Sequence, residues 1–337
     1  MDNNFKQMAE ISQKIGAYPE YIQGGGGNVS VKKTDTEMAI KASGFKLKDL
    51  REDTGFVSVN HIKIKSFYDT IKGDENLAEL MKENSEVVSE NTLYEEGKTS
   101  LRPSIETGFH SLLGKCVVHT HSVYANILNC SIEGQSLIKE LFPEAVFVPY
   151  SPPGVALTLG VKNAIAGASP RIIFLENHGL IVSGEISQDA YKLHEEVNAR
   201  IKEKLKIDVT YPIVSIKKVG EKRFVSDTSY IKQFIQDNRM VVENMSKTVL
   251  FPDQVVYGES VGFGSESTAD IAIDLDSGAV RYKTSHGEAE TFEEIFVSWA
   301  FIIENIKRLG LTLKTISEEE SAFVSNMESE KYRKKII

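Results

Sequence analysis

The sequence predicts an α/β fold in which helices pack in layers against a sheet. Short apolar stretches with strand character alternate with amphipathic helical stretches as far as about residue 212. The composition is typical of a globular protein, with 41% hydrophobic and 26% charged residues. A chain of 337 residues is long enough for one large domain or two.

The first predicted elements are a helix over residues 5–15 and a strand in NVSVKK, on either side of four consecutive glycines, Gly24–Gly27. Glycine reaches backbone angles closed to other residues and exposes its N–H group, so the run is either a flexible linker or a loop that lies against an anion. Val29 breaks the G-x-G-x-x-G spacing, and no Gly-Lys-Ser/Thr ending follows. Ordinary nucleotide binding is therefore disfavoured.

The next stretch contains a second predicted strand in EMAIKAS and a turn in GFKLKDL that leads into DTGFVSVN. From about His61 to Ser100 the chain becomes polar and rich in Glu and Asn. This composition indicates a helical insertion on the surface, from which we expect no chemistry.

A pair of histidines follows in RPSIETGFHSLLGKCVVHTHSVYA, which predicts a helix over residues 105–113, a strand over 116–121 and a helix from Ser122. His119 and His121 are separated by one residue, so their side chains point to the same face of the strand. Two imidazoles on one face can clamp a metal, although a polar pair on an exposed strand is the alternative. Cys116 is expected on the opposite face, in the core.

Two further residues favour the metal interpretation. PRIIFLENHGLIVSG predicts two buried strands around a turn and places His178 at a strand end. Three histidines with one open coordination position form a known catalytic zinc arrangement. Glu106, on the helix before the histidine strand, is placed to take or give a proton near the metal. His110 follows four residues later on the same helix face, either supporting the site or simply packed.

The remaining elements are a long helix in SQDAYKLHEEVNARIKEKL, capped by Ser187, and a C-terminal α+β region over 216–337. That region is predicted to contain a helix, a hairpin in DIAIDLDSGAVRYKT and a helix in TFEEIFVSWAFIIENIKRLG. Its Trp299 is expected in the core. Three histidines are taken as non-catalytic, because they fall in the insertion, on a surface helix and at a hairpin edge: His61, His194 and His286.

Charge and cysteine content exclude several classes of protein. A net charge of −9 argues against a nucleic-acid binder or an anionic-membrane protein. Cys116 and Cys130 are too few for a disulfide framework and are expected to be reduced thiols. No apolar run suits a signal peptide or a membrane span, so a cytoplasmic location is expected.

Four motifs in this order resemble the class II aldolase/adducin family: GGGGNVSVK, IKASGFKLKDL, RPSIETGFHSLLGKCVVHTHSVYA and LENHGLIVSG. Zinc members of that family include fuculose-phosphate and rhamnulose-phosphate aldolases. The resemblance covers residues 1–215, interrupted by the insertion at about 61–100. It implies a three-layer α/β/α domain around a mixed, largely antiparallel sheet, assembled as a homotetramer with sites at subunit interfaces.

The resemblance also implies roles for individual residues. Zinc, or another divalent metal, would be bound by His119, His121 and His178, with Glu106 as the catalytic acid/base. A substrate phosphate would be bound by Gly27, Asn28, Ser43, Gly44 and Ser104. The linker interpretation is kept only for Gly24 and Gly25. Ile105 stands where the family often has a second serine, and candidates for the tyrosine supplied by a neighbouring subunit are Tyr124 and Tyr150.

The activity implied by the resemblance is that of a zinc-dependent lyase. It would cleave a C–C bond of a ketose phosphate or related hydroxy-carbonyl substrate by retro-aldol chemistry through a zinc-stabilised enediolate. A methylthioribulose-phosphate dehydratase is the enzymatic alternative, since it keeps a glutamate at the position of Glu106. A ribulose-phosphate 4-epimerase, with aspartate there, is disfavoured. An adducin-like interaction module without metal is the non-enzymatic alternative, disfavoured by the presence of all three histidines.

Overall fold

The computed structural model describes residues 3–73, 75–93, 101–258 and 261–328. Up to residue 204 its helices and strands are, in order, α1 (Asn3–Gly16), β1 (Asn28–Lys32), β2 (Glu37–Lys41), β3 (Phe56–Asn60), α2 (His61–Thr70), α3 (Leu77–Glu90), β4 (Thr92–Leu93), α4 (Thr107–Leu112), β5 (Cys116–Thr120), α5 (Val123–Asn129), α6 (Gly134–Leu141), β6 (Val146–Val148), α7 (Val155–Ile165), β7 (Ile172–Leu175), β8 (Gly179–Gly184) and α8 (Ser187–Lys204). A short 3₁₀ helix, Leu47–Asp49, lies in the predicted turn between β2 and β3.

The strands β1–β8 form one sheet in the order β4-β3-β2-β1-β5-β8-β7-β6. Every neighbouring pair is antiparallel except β6 and β7, which are parallel. Helices α1, α5 and α8 pack on one face, and α2, α4 and α7 pack on the other. The predicted three-layer architecture around a mixed, largely antiparallel sheet is confirmed.

The alternation of side chains along β5 separates the two cores. Cys116 and Val118 lie in the core that contains α1, α5 and α8, whereas Val117 lies in the core formed with α4 and α7. The prediction for Cys116 is confirmed, and Cys116 and Cys130 are both buried free thiols. In the described part of the chain, no helix has the length and apolar character needed to cross a membrane.

Two local predictions around α8 are wrong. Ile186, not Ser187, occupies the position that precedes the helix, and the Ser187 hydroxyl instead donates to the carbonyl of Asn4 at 2.7 Å. His194 is fully buried instead of lying on a surface. Its Nε2 is 3.1 Å from the hydroxyl oxygen of Thr120, so it links α8 to the end of β5.

The predicted insertion consists of α2, α3 and β4, and residues 94–100 lie outside the described residues. Its position is less superficial than predicted. Ile64 and Tyr68 are fully buried and pack with Met38 and Ile40 of β2, while β4 extends the sheet beside β3. The insertion therefore covers one end of the sheet.

The C-terminal part contains β9 (Ile216–Gly220), β10 (Arg223–Ser226), α9 (Ser229–Asp237), α10 (Arg239–Glu243), α11 (Pro252–Gly258), β11 (Val261–Phe263), β12 (Ile271–Asp274), β13 (Ala279–Tyr282), α12 (His286–Arg308) and α13 (Glu318–Asn326). These strands form a second sheet in the order β11-β12-β13-β10-β9, and the predicted hairpin pairs β12 with β13. His286 begins α12 and is not at the hairpin edge.

Helix α12 connects the C-terminal part to the rest of the molecule. Trp299 is fully buried, as predicted, and belongs to the same continuous apolar core as Tyr124 of α5 and Val118 of β5. Phe301 meets Tyr124 edge-on, with ring centroids 6.2 Å apart. The apolar core is continuous across residue 215. The predicted domain boundary at that residue therefore stays a prediction.

Candidate metal centre and active site

The three histidines predicted as metal ligands meet where β5 ends and the β7–β8 turn begins. His119 and His121 come from β5 and the residue after it, and His178 comes from the turn. All three are buried, and one ring nitrogen of each lies within 4.8 Å of the others. Each pair of ring centroids is 5.1 Å apart. Among the described residues, this is the group of His, Cys, Asp and Glu whose spacing suits a metal ion.

Hydrogen bonds fix the orientation of two of these rings. Nδ1 of His119 lies 3.1 Å from the carbonyl oxygen of Leu180, and Nδ1 of His121 lies 2.9 Å from Oδ2 of Asp253. Both oxygens only accept, so each Nδ1 carries a proton, and Nε2 is the nitrogen that bears the lone pair in the neutral form of each ring. Neither Nε2 has a hydrogen-bond partner within the described ranges.

Electrostatics also favour a neutral imidazole at His119. Burial, followed by the neighbouring His121 and His178, lowers the pKa of His119 well below its ordinary value of 6.5. Neutral imidazoles with converging lone pairs are the donor set that binds a divalent transition metal, and an Nδ1–H bonded to an oxygen is the usual support. The residues present therefore fit a metal ion.

Glu106 lies directly beside this cluster. It occupies the position before α4, and its carboxylate oxygens are 3.6 Å from Nε2 of His119 and 3.3 Å from Nε2 of His178. The side chain is 5% exposed, so the carboxylate is shielded from bulk water. The predicted proximity of Glu106 to the histidines is thus present, although the residue lies at the helix terminus and not within the helix.

A chain of hydrogen bonds holds Glu106 in place. Nδ2 of Asn28 donates to Oε2 of Glu106 at 2.6 Å, and Oδ1 of Asn28 is hydrogen-bonded to Nε2 of His110. Nδ1 of His110 lies 2.7 Å from the hydroxyl of Ser30. Burial, together with the charges of Lys32 and Lys41, lowers the pKa of His110 to about 3. A neutral His110 thus donates from Nε2 to the amide oxygen and accepts from Ser30, which fixes the amide of Asn28.

The predicted phosphate-binding residues share one pocket with the metal cluster. The pocket is lined by Gly27, Asn28, Ser43, Gly44 and Ser104 together with Glu106, His121 and His178. The oxygen of Ser104 accepts from Nδ2 of Asn28 at 3.2 Å and from the backbone N–H of Glu106 at 3.3 Å. Accepting both bonds leaves the hydroxyl proton of Ser104 for a further acceptor.

Two pocket residues escaped the sequence analysis. Lys41 is 2% exposed, and its Nζ donates to the carbonyl of Gly25 at 3.1 Å. A lysine within the apolar strand sequence AIKA was a usable signal, because a cation that cannot reach water needs a partner. Asp253 lines the same pocket from α11. No sequence pattern near Asp253 points to the histidines.

The glycine run is a tightly packed loop, and the linker interpretation for Gly24 and Gly25 is wrong. Both residues are buried. Gly24 has φ +54°, and its N–H donates to Oε2 of Glu294 at 2.6 Å. A Cβ at Gly26 would lie 2.7 Å from both Oδ2 of Asp253 and Nδ1 of His121. The glycines therefore allow close approach of the loop to groups from distant parts of the chain.

A second cavity, of about 380 Å³, adjoins the pocket at Ser43, Ser104, Ile105 and Pro153. Helix α3 and Met327 contribute further lining residues to this cavity. The residues from α3 are Met81, Asn84, Ser85, Val88 and Ser89. The insertion, from which no chemistry was expected, thus borders the space beside the candidate site.

The two tyrosine candidates for a neighbouring subunit's site differ in burial. Tyr124 is 2% exposed and packs within the core, so it is not available to another chain and that candidate is wrong. Tyr150 is only partly buried and stays a candidate.

The sequence and the fold are both similar to those of known proteins. The sequence profile described as the class II aldolase and adducin N-terminal domain matches residues 6–205. No curated protein sequence matches the chain. Among solved structures, the N-terminal class II aldolase domain of a conserved protein from Thermoplasma acidophilum is 25% identical with a TM-score of 0.52, covering 61% of this chain and 95% of that one.

Two further structures are more distant. YgbL from Escherichia coli, described as a putative aldolase/epimerase/decarboxylase, is 22% identical with a TM-score of 0.43 over 62% of this chain and 91% of that one. An L-fuculose-1-phosphate aldolase from Thermus thermophilus is 16% identical with a TM-score of 0.39 over 61% and 96%.

The fold and the histidine cluster define a three-layer α/β protein with a candidate metal centre at the end of the interior strand β5. The profile match extends over more than half of the chain. The chain belongs to the family of class II aldolase and adducin N-terminal domains.

Proposed function

We propose that this chain is a metal-dependent lyase that cleaves a C–C bond of a ketose phosphate or a related hydroxy-carbonyl substrate. One observation carries the proposal. The carboxylate of Glu106 lies 3.3–3.6 Å from two of three clustered histidines, in a pocket that is also lined by Lys41, Ser43 and Ser104. The pocket thus combines side chains suited to hold a metal ion, to transfer a proton and to bind an anion, which supports the proposal. Family membership supports the same class of reaction.

The metal would be held by His119, His121 and His178, and we propose zinc, with another divalent ion as the alternative. When bound, such an ion polarises the carbonyl and adjacent hydroxyl oxygens of a substrate and stabilises the negative charge that develops as the C–C bond breaks. The protein groups around it supply everything else: orientation, proton transfer and shielding from water.

Glu106 is the proposed acid/base. Its carboxylate would move a proton to or from the carbon that retains the electron pair after cleavage. Both amide hydrogens of Asn28 are directed at Ser104 and Glu106. We therefore assign to Asn28, predicted as a phosphate ligand, the holding of Glu106, with His110 behind it fixing the amide orientation.

The anion contact is proposed for the remaining pocket residues. Lys41 adds a buried cation to Gly27, Ser43, Gly44 and Ser104, all of which line the same space. A phosphate with two negative charges is matched by a cation, hydroxyl donors and backbone N–H groups arranged in this manner. The side chain of Ile105 has no hydrogen-bond donor for the phosphate. Lys41 would supply the contact that the second serine makes in other members of the family.

Resemblance to the aldolases further supports a homotetramer, and we include in the proposal both this assembly and the cytoplasmic location expected from the sequence. Sedimentation equilibrium of the purified chain measures the assembly directly. A monomer at every concentration would contradict the tetramer.

The test of the proposed reaction uses the purified, zinc-loaded chain and a panel of ketose 1-phosphates. Aldehyde release is followed with a coupled NADH-dependent reductase, and products are identified by mass spectrometry. Aldehyde formed by the wild type and not by Glu106→Gln sustains the proposal. A product that has lost one water with its carbon chain intact would replace it with the dehydratase. A chain that binds no metal and turns over no substrate would favour the interaction module.

A further inference from the structure

We infer that the C-terminal part of the chain completes the metal centre, with Asp253 as the residue that positions His121. The inference relies on the histidine cluster being a metal site, as in the proposed function. It extends that proposal to a residue outside the region that matches the family profile, which ends at residue 205.

The contact itself is short and enclosed. Oδ2 of Asp253 lies 2.9 Å from Nδ1 of His121, across 132 residues of sequence. Asp253 is 2% exposed and His121 is 6% exposed. Burying a carboxylate costs free energy unless the carboxylate is hydrogen-bonded. Separating Asp253 from His121 would leave the carboxylate buried without this bond, and this cost keeps the pair together.

The carboxylate has a specific effect on the imidazole. By accepting the Nδ1 proton, Asp253 fixes the tautomer in which Nε2 keeps its lone pair, and it makes that nitrogen more basic. His119 receives the same kind of support from the neutral carbonyl of Leu180 at 3.1 Å. A hydrogen bond to a charged acceptor is about twice as strong as a neutral one, so His121 has the stronger support of the two.

The glycine loop is shaped to allow this pair. Gly26 passes so close that a Cβ there would lie 2.7 Å from each of the two bonded atoms. Any side chain at this position would force the carboxylate or the ring to move. The N-terminal loop, His121 and Asp253 therefore form one three-part contact.

The turn that carries His178 is also tied to the C-terminal part. Asn177 adopts φ +49°, and its Nδ2 donates to the carbonyls of Leu250 at 2.8 Å and Lys314 at 2.9 Å. Two of the three histidines are thus fixed through residues beyond 249. The C-terminal part acts on the metal centre itself and not only on the stability of the fold.

The experiment measures metal affinity of the metal-stripped, full-length chain by competition with a chromogenic chelator, using Zn²⁺ and Co²⁺. Asp253→Ala is expected to bind either ion about 10–100-fold more weakly, the usual cost of losing such a support. Asp253→Asn keeps the shape and one accepting oxygen but loses the charge, so its affinity should fall between those of the wild type and Asp253→Ala.

The matched control is Glu293→Gln. Glu293 is also a fully buried carboxylate of the C-terminal part, but it is bonded to Ser226 and Tyr282, and none of these three residues lines the pocket of the histidines. Its replacement should reduce stability without changing metal affinity. An equal loss of affinity in both variants would mean a general structural effect and would overturn the inference.

A second readout reports on His121 directly. ¹⁵N chemical shifts of the metal-free chain should show the Nδ1–H tautomer of His121 in the wild type and a shift toward Nε2–H in Asp253→Ala. Gly26→Ala should also weaken metal binding while keeping the carboxylate, because its Cβ would displace the carboxylate or the ring of His121. Unchanged affinity and tautomer in Asp253→Ala would refute the positioning role.

These measurements need no substrate. A wild type that binds metal through the Asp253-supported site but cleaves no ketose phosphate would refute the proposed lyase and leave the inference standing. Normal lyase activity and normal metal affinity in Asp253→Ala would refute the inference about Asp253 and leave the proposed lyase standing.

Discussion

The family-matching part of the chain and the C-terminal part contribute differently to one site. Residues 6–205 supply the groups that would touch metal or substrate, among them the three histidines, Glu106 and Lys41. The C-terminal part supplies contacts that hold those groups: Asp253 on His121, and Glu294 on Gly24. The residues that would react with a substrate and the residues that hold them in position can therefore lie in separate parts of one chain.

The largest expected effect is on metal binding by the N-terminal part. His119→Ala removes one of three ligands and leaves a cavity at a fully buried position. We expect the purified variant to hold little or no divalent metal by elemental analysis, against about one ion per chain in the wild type. His194→Ala is a control, since this buried histidine bonds Thr120 and lies outside the cluster. Full occupancy in His119→Ala would contradict the ligand assignment.

Glu106→Gln should separate proton transfer from metal binding. The amide keeps the shape of the carboxylate but cannot take up a proton at neutral pH, so turnover should fall by about 100-fold or more. Metal content should stay near that of the wild type, as measured on the same preparation. If turnover is unchanged, another group moves the proton, and Glu106 only lies near the cluster.

Lys41→Met should affect the anion end of the pocket. Loss of a charged hydrogen bond costs about 1.5–3 kcal/mol, which predicts roughly a 10–100-fold rise in KM for a phosphorylated substrate and little change for its unphosphorylated analogue. Lys33→Met is the control, because Lys33 pairs with Glu37 at a partly exposed position.

Asn28→Ala is expected to behave differently from Lys41→Met. It removes the amide that holds Glu106, so turnover should fall with both the phosphorylated substrate and its analogue. A defect confined to the phosphorylated substrate would instead restore Asn28 as a phosphate ligand.

The smallest predicted effect concerns stability in the C-terminal part. Burial raises the pKa of Glu294 above its ordinary value of 4.5, against the opposing bond from the N–H of Gly24. Between pH 4.5 and the raised pKa of the folded state, the folded chain binds more protons than the unfolded chain. The stabilising contribution of Glu294 is therefore present below pH 4.5 and is lost as pH rises through the folded pKa. The free energy of unfolding, measured with urea from pH 4 upward, should fall less with rising pH in Glu294→Gln than in the wild type.

Glu290, one turn earlier on α12, provides a control of opposite sign. Partial burial acts to raise its pKa, but the salt bridge to Lys46 at 2.7 Å and the nearby charge of Lys48 together outweigh burial, and the pKa is lowered. Its contribution is present above pH 4.5 and is lost as pH falls through the folded pKa, so Glu290→Gln should lose stability at neutral pH by at most about 1 kcal/mol. Parallel pH curves for both variants would contradict the assignment.

Much of the N-terminal fold and site was predictable because the relevant geometry is local. Alternation along β5 places His119 and His121 on one face, and the apolar strands around ENHG place His178 at a turn. Ser187, His194 and Gly24 were misjudged because their environments come from α1, β5 and α12 respectively. Lys41 was missed since a strand pattern indicates that a side chain is inward but not what surrounds it.

The sequence by itself determined the layered α/β class, the histidine pair on one strand face, and the glycine run between a helix and a strand. Each of these depends on residues within a few positions of one another, where the periods of helix and strand fix the direction of a side chain. Tertiary structure alone decided that Asp253 supports His121 across 132 residues and that Glu294 holds Gly24 across 270. Such contacts depend on how whole elements pack, and packing is set by the summed burial of many side chains, none of which records its partner in its own neighbourhood.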